Sequence, residues 1–274
     1  MTMRAGLLAL AMIAISWDGA TAQETEPVSQ CLAVAQSLPR VQYASFDAGA
    51  FDLAALEKGE VSITFIGHST FRIESPDGVV IATDYNGFSG EGRLPDLVTM
   101  NRAHSSHYTD HVDPGIPHVL KGWGDGVTPA RHRVVVGDVF IRNVTTDIRG
   151  GAVGRAPDMN SIFIFEVAGL CLGHLGHLHH ELTPGHKAAI GRLDVVFVPV
   201  DGSYTMAQGN MIEVLRDLRA QIVIPMHFFG SMTLNNFLAG MDEAFPVTFN
   251  PTPSFTVSLK TLPDQPMVLV LPGH

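Results

Sequence analysis

Residues 96–111 read DLVTMNRAHSSHYTDH. An apolar, strand-like run from Leu97 to Met100 gives way at once to a segment holding His104, His107, Asp110 and His111. Sites on sheet proteins are built where strands run out, so this stretch is a candidate metal-binding loop at a strand end. Two further stretches have the same form. GHLGHLHH (173–180) follows an apolar run at 170–172, and PMHFF (225–229) follows QIVI (221–224). A lone histidine at a strand end is usually structural. Three such ends together favour one convergent site, and zinc or a similar borderline ion suits an imidazole-rich set.

Working outward, strand-like patterns begin at VSITFI (61–66) and continue through TFRIES (70–75), GVVIATD (78–84) and DLVTM (96–100), separated by Gly, Pro and Asp turn signals. A second set comprises RVVVGDVFIRNVTT (133–146), SIFIFEV (161–167), LCLGHL (170–175), DVVFVPVD (194–201) and QIVIPMH (221–227). The last two are continuous apolar runs, as expected of strands buried on both faces. Helical spacing falls between and after them. Thr183-Pro184 supplies an N-cap and a first-turn proline ahead of GHKAAIGRL, and 206–220 and 234–245 follow. Strands dominate the first half and strand–helix alternation the second. The expected architecture is α/β, with two sheets packed face to face and helices outside.

The chain has 274 residues and a formal net charge of −10, with no Lys/Arg cluster. Nucleic acid is therefore not an expected partner. Most of the thirteen histidines fall in two segments, 104–118 and 174–186, a clustering that points to a site. Residues 1–22 have a positive start (MTMR), an apolar core (AGLLALAMIAI) and a small-residue ATA before Gln23. That is the layout of a secretory signal peptide cleaved near Ala22, so the expected location is periplasmic or secreted. Residues 23–58 read as an N-terminal extension carrying a short helical DLAALEKG, and 59–274 as the main domain. No later run is long enough to span a bilayer, so no membrane partner is expected. In an oxidising compartment Cys31 and Cys171 can form one disulfide, or stand as two thiols.

The stretches ITFIGHSTFRIES, VVIATD, DLVTMNRAHSSH, NSIFIFEVAGLCLGHLGHL, LDVVFVPVDGSYTM and IVIPMH occur in one order over roughly residues 60–230. In that order the chain resembles the metallo-β-lactamase fold superfamily. More narrowly, it is similar to the branch of small metal-dependent hydrolases that includes the ascorbate-6-phosphate lactonases. The resemblance implies an αββα sandwich with a metal site at one edge of the sheets.

The implied ligand set departs from the family's His-x-His-x-Asp-His. An ungapped register keeps His104 and His107 and replaces the first histidine by Arg102 and the aspartate by Ser106. A shifted register instead uses His107 with Asp110 and His111. The ungapped one is preferred, because DPGIPHVLKGWG (113–124) then falls at the expected distance. The family's next histidine has no counterpart, since Thr146 and Asp147 occupy its region. Its bridging aspartate aligns with His177, and its last ligand with His227. The resemblance thus implies a metal set of His104, His107, His177 and His227. It gives supporting or substrate-facing places to His68, Asp84, Arg102, Asp110, His111, His180, Asp201 and Tyr204. His174 faces away if its strand is extended and becomes a ligand if the turn twists.

Neutral imidazoles in place of bridging carboxylates disfavour a second dication by Coulomb repulsion, so one zinc or other divalent transition metal per chain is expected. With one coordination position open, metal-activated water would hydrolyse a small ester, lactone, amide or phosphoester. With the shell closed, the chain would be a metal- or ligand-binding protein on the same fold. In either case Arg102 would hold an anionic substrate group such as carboxylate or phosphate, or only local carbonyls. Oligomeric state is not legible.

Overall fold

The structure is a computed structural model and describes residues 27–33, 59–102, 104–150, 154–241 and 245–273. The proposed signal segment 1–22 and the helical reading of DLAALEKG lie outside the described residues.

After a four-residue helix α1 (Gln30–Ala33), β1 (Val61–Gly67) and β2 (Thr70–Glu74) form an antiparallel pair, with β3 (Val80–Ala82), β4 (Leu97–Met100) and β5 (His118–Lys121) alongside. A second group contains β6 (Arg133–Val136), β7 (Val139–Gly150), β8 (Gly154–Val167), β9 (Leu170–His174), β10 (Val195–Pro199) and β11 (Ile222–Met226). Helices α2 (Pro184–Ile190), α3 (Gln208–Leu218) and α4 (Ser231–Gly240) connect or follow its later strands, and β12 (Val247–Phe249), β13 (Ser254–Val257) and β14 (Met267–Val270) close the chain. The strand orders are β13-β1-β2-β3-β4-β5 and β12-β14-β11-β10-β9-β8-β7-β6.

The two sheets share one core. Ile63, Phe65, Phe71, Ile73 and Ile81 of the first meet Ile141, Phe163, Phe165, Phe197 and Ile224 of the second. Because side chains alternate along a strand, Val196 and Val198 of β10 point the other way, into a second core beneath Ile190, Met211, Leu215 and Phe237 of the helices. The continuous apolar runs thus serve two faces. The α2 N-terminus is a capping box: the Thr183 hydroxyl accepts from the His186 N–H, and the His186 side chain accepts from the Thr183 N–H.

Several sequence expectations are refined. The stretch 133–146 is two strands, split at Gly137-Asp138 by a turn in which Gly137 takes φ +54°. The C-terminal strands β12, β13 and β14 were not anticipated, and neither was β5, whose first residue His118 reads as a surface histidine. α4 begins at Ser231 and ends at Gly240, three residues before and five residues short of the expected 234–245. On the outer face of the first sheet the described residues place a small cluster, Ala82, Tyr85, Val98, Met100 and Ile116, flanked by Tyr108 and Trp123 from the loops. There a loop does the covering expected of a helix.

Cys31 and Cys171 are joined in a disulfide across 140 residues of sequence. The same segment is held by Glu166, which accepts from the Ser29 hydroxyl and from the Gln30 and Cys31 N–H groups.

Candidate metal centre

Strand ends from both sheets deliver the site. β1 leads into His68, β4 into the 101–107 loop, β9 into 175–180, and β11 into His227. The His227 N–H donates to the His68 carbonyl at 2.7 Å, tying the two sheets together at the cluster. His68, Asp84 and His227 all take positive φ, at 51°, 42° and 55°. Left-handed backbone is disfavoured for residues bearing a Cβ and collects at functional sites. Half of the six non-glycine positive-φ residues described lie here.

The imidazoles of His68, His104, His107 and His227 converge, with one nitrogen from each inside a 4.8 Å set. His177 joins from the other sheet, its Nε2 3.1 Å from His104 Nε2, which in turn lies 3.4 Å from His227 Nε2. Two nitrogens bound to one tetrahedral zinc at about 2.0–2.1 Å stand about 3.3 Å apart, so these spacings fit shared ligation. The outer nitrogens of His107, His104 and His177 are engaged. His107 Nδ1 lies 2.6 Å from Asp84 Oδ2 and 3.0 Å from the Ser69 hydroxyl. His104 Nδ1 meets the Ser106 hydroxyl at 2.6 Å, and His177 Nδ1 meets His179 Nε2 at 2.7 Å. His227 Nδ1 sits 3.1 Å from Asp201 Oδ1, within ion-pair reach though not aligned as a hydrogen bond. Partners on Nδ1 of this kind leave Nε2 aimed inward with a free lone pair. The buried His68 Nε2 and His107 Nε2 have no hydrogen-bond partner. Buried polar atoms are nearly always satisfied, and a cation is the partner this donor set suits.

Electrostatics agree. Burial, then the neighbouring imidazoles His227, His107 and His104, lowers the His68 pKa to about 3. Burial and then His107 and His227 bring His104 to about 4. His177 is held far below the ordinary imidazole value by burial first, then by His107, His227, His179 and His104. Burial alone would raise both Asp84 and Asp201. It is outweighed at Asp84 by the charges of His107 and His174 and by hydrogen bonds from His107 and Asn101, and at Asp201 by His227, the Thr205 hydroxyl and the Ser203 N–H. Both carboxyls therefore end below their usual range and stay ionised behind their imidazoles.

One consequence is a pH-dependent stability of the metal-free protein. Unfolded imidazoles take up protons as pH falls through 6.5, whereas folded His104 and His179 wait until about 4 and His68 until about 3. The unfolded state binds more protons across that window, so stability falls with pH. Below it the depressed Asp84 and Asp201 act with the same sign. The urea midpoint of metal-free protein is expected to decline steadily from pH 7 to pH 4. A flat profile would contradict the burial of neutral imidazoles.

The remaining expected residues divide clearly. Asp84 is buried between His107 and the Asn101 amide, and Asp201 stands behind His227. Tyr204 projects beside the cluster, its ring 6.4 Å from that of His104. Arg102 lies over the Trp123 ring at 6.0 Å. Asp110 and His111 are exposed and lie outside the convergent set. His180 has both nitrogens engaged, Nε2 accepting from the Asp147 N–H and Nδ1 contacting the Glu181 carbonyl. His174 is similarly spent: its Nδ1 accepts from the Gly176 N–H, so Nε2 carries the proton given to the Ser69 carbonyl. His68, expected in a supporting place, enters the convergent set itself.

Other contributors escape a sequence reading. Asn101 bonds Asp84 and the Ser161 backbone, and Asn160 accepts from the His177 N–H while donating to Thr146 and the Leu175 carbonyl. Gly176, at φ +59°, fits between them, because a Cβ there would meet both amides at 2.4 Å. His179 and Ser69 belong to the same group. The available signal is weak: polar residues beside strand ends, in MNRAH, MNSIF and GHST.

A β-lactamase superfamily domain profile matches residues 62–227. The UPF0173 metal-dependent hydrolase of Opitutus terrae is 27% identical over 201 residues, covering 61% of this chain and 84% of that one. A UPF0173 protein of Pyrococcus abyssi is 22% identical over 186 residues, covering 61% and 83%. Among solved structures, a candidate zinc-dependent hydrolase of the metallo-β-lactamase superfamily from Thermotoga maritima superposes with TM-score 0.55 at 28% identity, over 78% of this chain and 100% of that one.

Proposed function

The chain belongs to the β-lactamase superfamily, and from that premise we propose that it is an exported metal-dependent hydrolase, with one zinc or other divalent transition metal per chain, acting on a small ester, lactone, amide or phosphoester. The observation that carries the reading is the inward convergence of imidazole nitrogens whose outer nitrogens are already engaged. The names of the relatives, metal-dependent hydrolases among them, support it. Export is supported by the leader-like residues 1–22 and by the Cys31–Cys171 bridge, which suits an oxidising compartment.

His104, His107, His177 and His227 would hold the cation, and His68, whose ring nitrogen belongs to the convergent set, stands with them. A divalent cation held there supplies Lewis acidity, polarising a carbonyl or phosphoryl oxygen and acidifying water. The protein's own part is orientation. Asp84 accepts a hydrogen bond from His107 Nδ1 and Ser106 meets Nδ1 of His104, while Asp201 places its charge against Nδ1 of His227. His179 does the equivalent for His177. Charge supports one cation per chain: Asp84 and Asp201 stand behind imidazoles instead of between cations, where they would offset a second dication.

The inclusion of His68 favours a second reading, a shell closed by five imidazoles that binds metal without turnover. Titrating zinc into chelator-stripped protein while following ester hydrolysis separates the two. Hydrolysis that rises to a plateau near one equivalent is the expected result. Metal bound with no hydrolysis of any ester or lactone would support the closed shell and overturn the hydrolase reading.

A further inference from the structure

Two aromatic side chains stand beside the metal centre with most of their surface in solvent, Tyr204 at 61% and Phe229 at 60% exposure. Their rings meet edge to face at 5.4 Å. Phe229 lies 5.8 Å from the His68 ring and 5.5 Å from His227, and Tyr204 lies 6.4 Å from His104. A substrate reaching those imidazoles from that side passes these rings.

Neither aromatic is a loose surface residue. Asp201 Oδ2 accepts from the Ser203, Tyr204 and Thr205 N–H groups, so the carboxylate behind His227 also fixes the loop that carries Tyr204. Arg149 reaches across from β7 and donates to the Ser203 and Thr205 carbonyls at 2.7 and 2.6 Å. Phe229 follows His227, whose N–H is bonded to His68, and Phe228, which packs into the cores. A rigid backbone presenting exposed rings is the arrangement of a preorganised contact surface. Arg149 is spent on two loop carbonyls, and Arg102 lies over the Trp123 ring at 6.0 Å.

We propose that Tyr204 and Phe229 form an apolar subsite, and that the substrate is an uncharged ester or lactone carrying an aryl or alkyl group beside the scissile bond. This rests on the hydrolase reading for the bond cleaved, but not for the binding itself. Aromatic faces reward apolar surface, whereas a phosphate or carboxylate would gain there only what the Tyr204 hydroxyl donates.

The test has two independent readouts on zinc-loaded protein. In a pH-stat, kcat/KM for ethyl phenylacetate or benzyl acetate is expected to exceed that for ethyl acetate by roughly tenfold or more, the discrimination an apolar pocket achieves. That ratio should collapse in Tyr204→Ser and in Phe229→Ser at parental metal content. Saturation-transfer NMR with phenylacetone, a non-hydrolysable isostere, should show transfer to the phenyl protons in the parent and its loss in both variants. Transfer without hydrolysis of any ester would sustain the subsite and reject the hydrolase reading. Hydrolysis with no apolar preference and no transfer would overturn the subsite alone.

Discussion

His107→Ala is expected to strip the purified protein of its metal and, with it, of ester hydrolysis. Four-ligand zinc sites bind with about 10–16 kcal/mol, so one ligand contributes on average about 3 kcal/mol, or roughly two orders of magnitude in affinity. His107, like His227, is fully buried, and it has Nδ1 on Asp84 and an Nε2 with no hydrogen-bond partner. Its removal also strands the Asp84 carboxylate, so the variant should melt earlier; circular dichroism at room temperature distinguishes a folded metal-free protein from an unfolded one. His111→Ala is the control. His111 is exposed, its backbone N–H rests on the Thr109 hydroxyl, and metal content should be unchanged. Metal lost from His111→Ala and kept in His107→Ala would move the site to the shifted register.

The second large effect lies away from the cluster. Arg142 and Glu166 form an ion pair at 2.7 Å with about 4% of each side chain exposed. Burial pulls the Arg142 pKa down, and the hydrogen bond and charge of Glu166 only partly restore it. The pair is a hub: Arg142 also donates to the Ala189 and Ile190 carbonyls at the end of α2, and Glu166 takes the donors of Ser29, Gln30 and Cys31. Breaking a buried pair from one side leaves a charge without compensation, at a cost of about 3–5 kcal/mol. Glu166→Ala should therefore lower the melting temperature by roughly 10 °C. The double replacement Arg142→Met, Glu166→Leu should cost less than the sum of its parts. A loss below about 1 kcal/mol in Glu166→Ala would mean that water reaches the guanidinium.

The fold was legible where one physical signal dominates. The runs at 195–199 and 222–226 announce strands buried on both faces, and Thr183-Pro184 announces a helix start. Legibility failed where the signal is weak or non-local. β12 is three exposed residues, and β13 pairs with β1 from nearly two hundred residues away, so neither has a pattern of its own. The Gly137-Asp138 turn sits inside an otherwise unbroken strand-like run.

The site divides in the same way. Histidines at strand ends stand out, and His104, His107, His177 and His227 do gather. His68 is harder to place, because its ring enters the set through a left-handed backbone after a bulge between Phe65 and Gly67. Asn101, Asn160 and His179 act by hydrogen-bonding to residues far off in sequence, which no spacing encodes. Glu166 reads as one polar residue in a strand, yet it anchors the segment 29–31 more than 130 residues upstream.

A single cation on an all-imidazole centre can be read from a calorimetric titration of zinc into chelator-stripped protein. The expected isotherm has one break at one equivalent per chain, absent in His107→Ala. A break at two equivalents, or no binding at all, would contradict it.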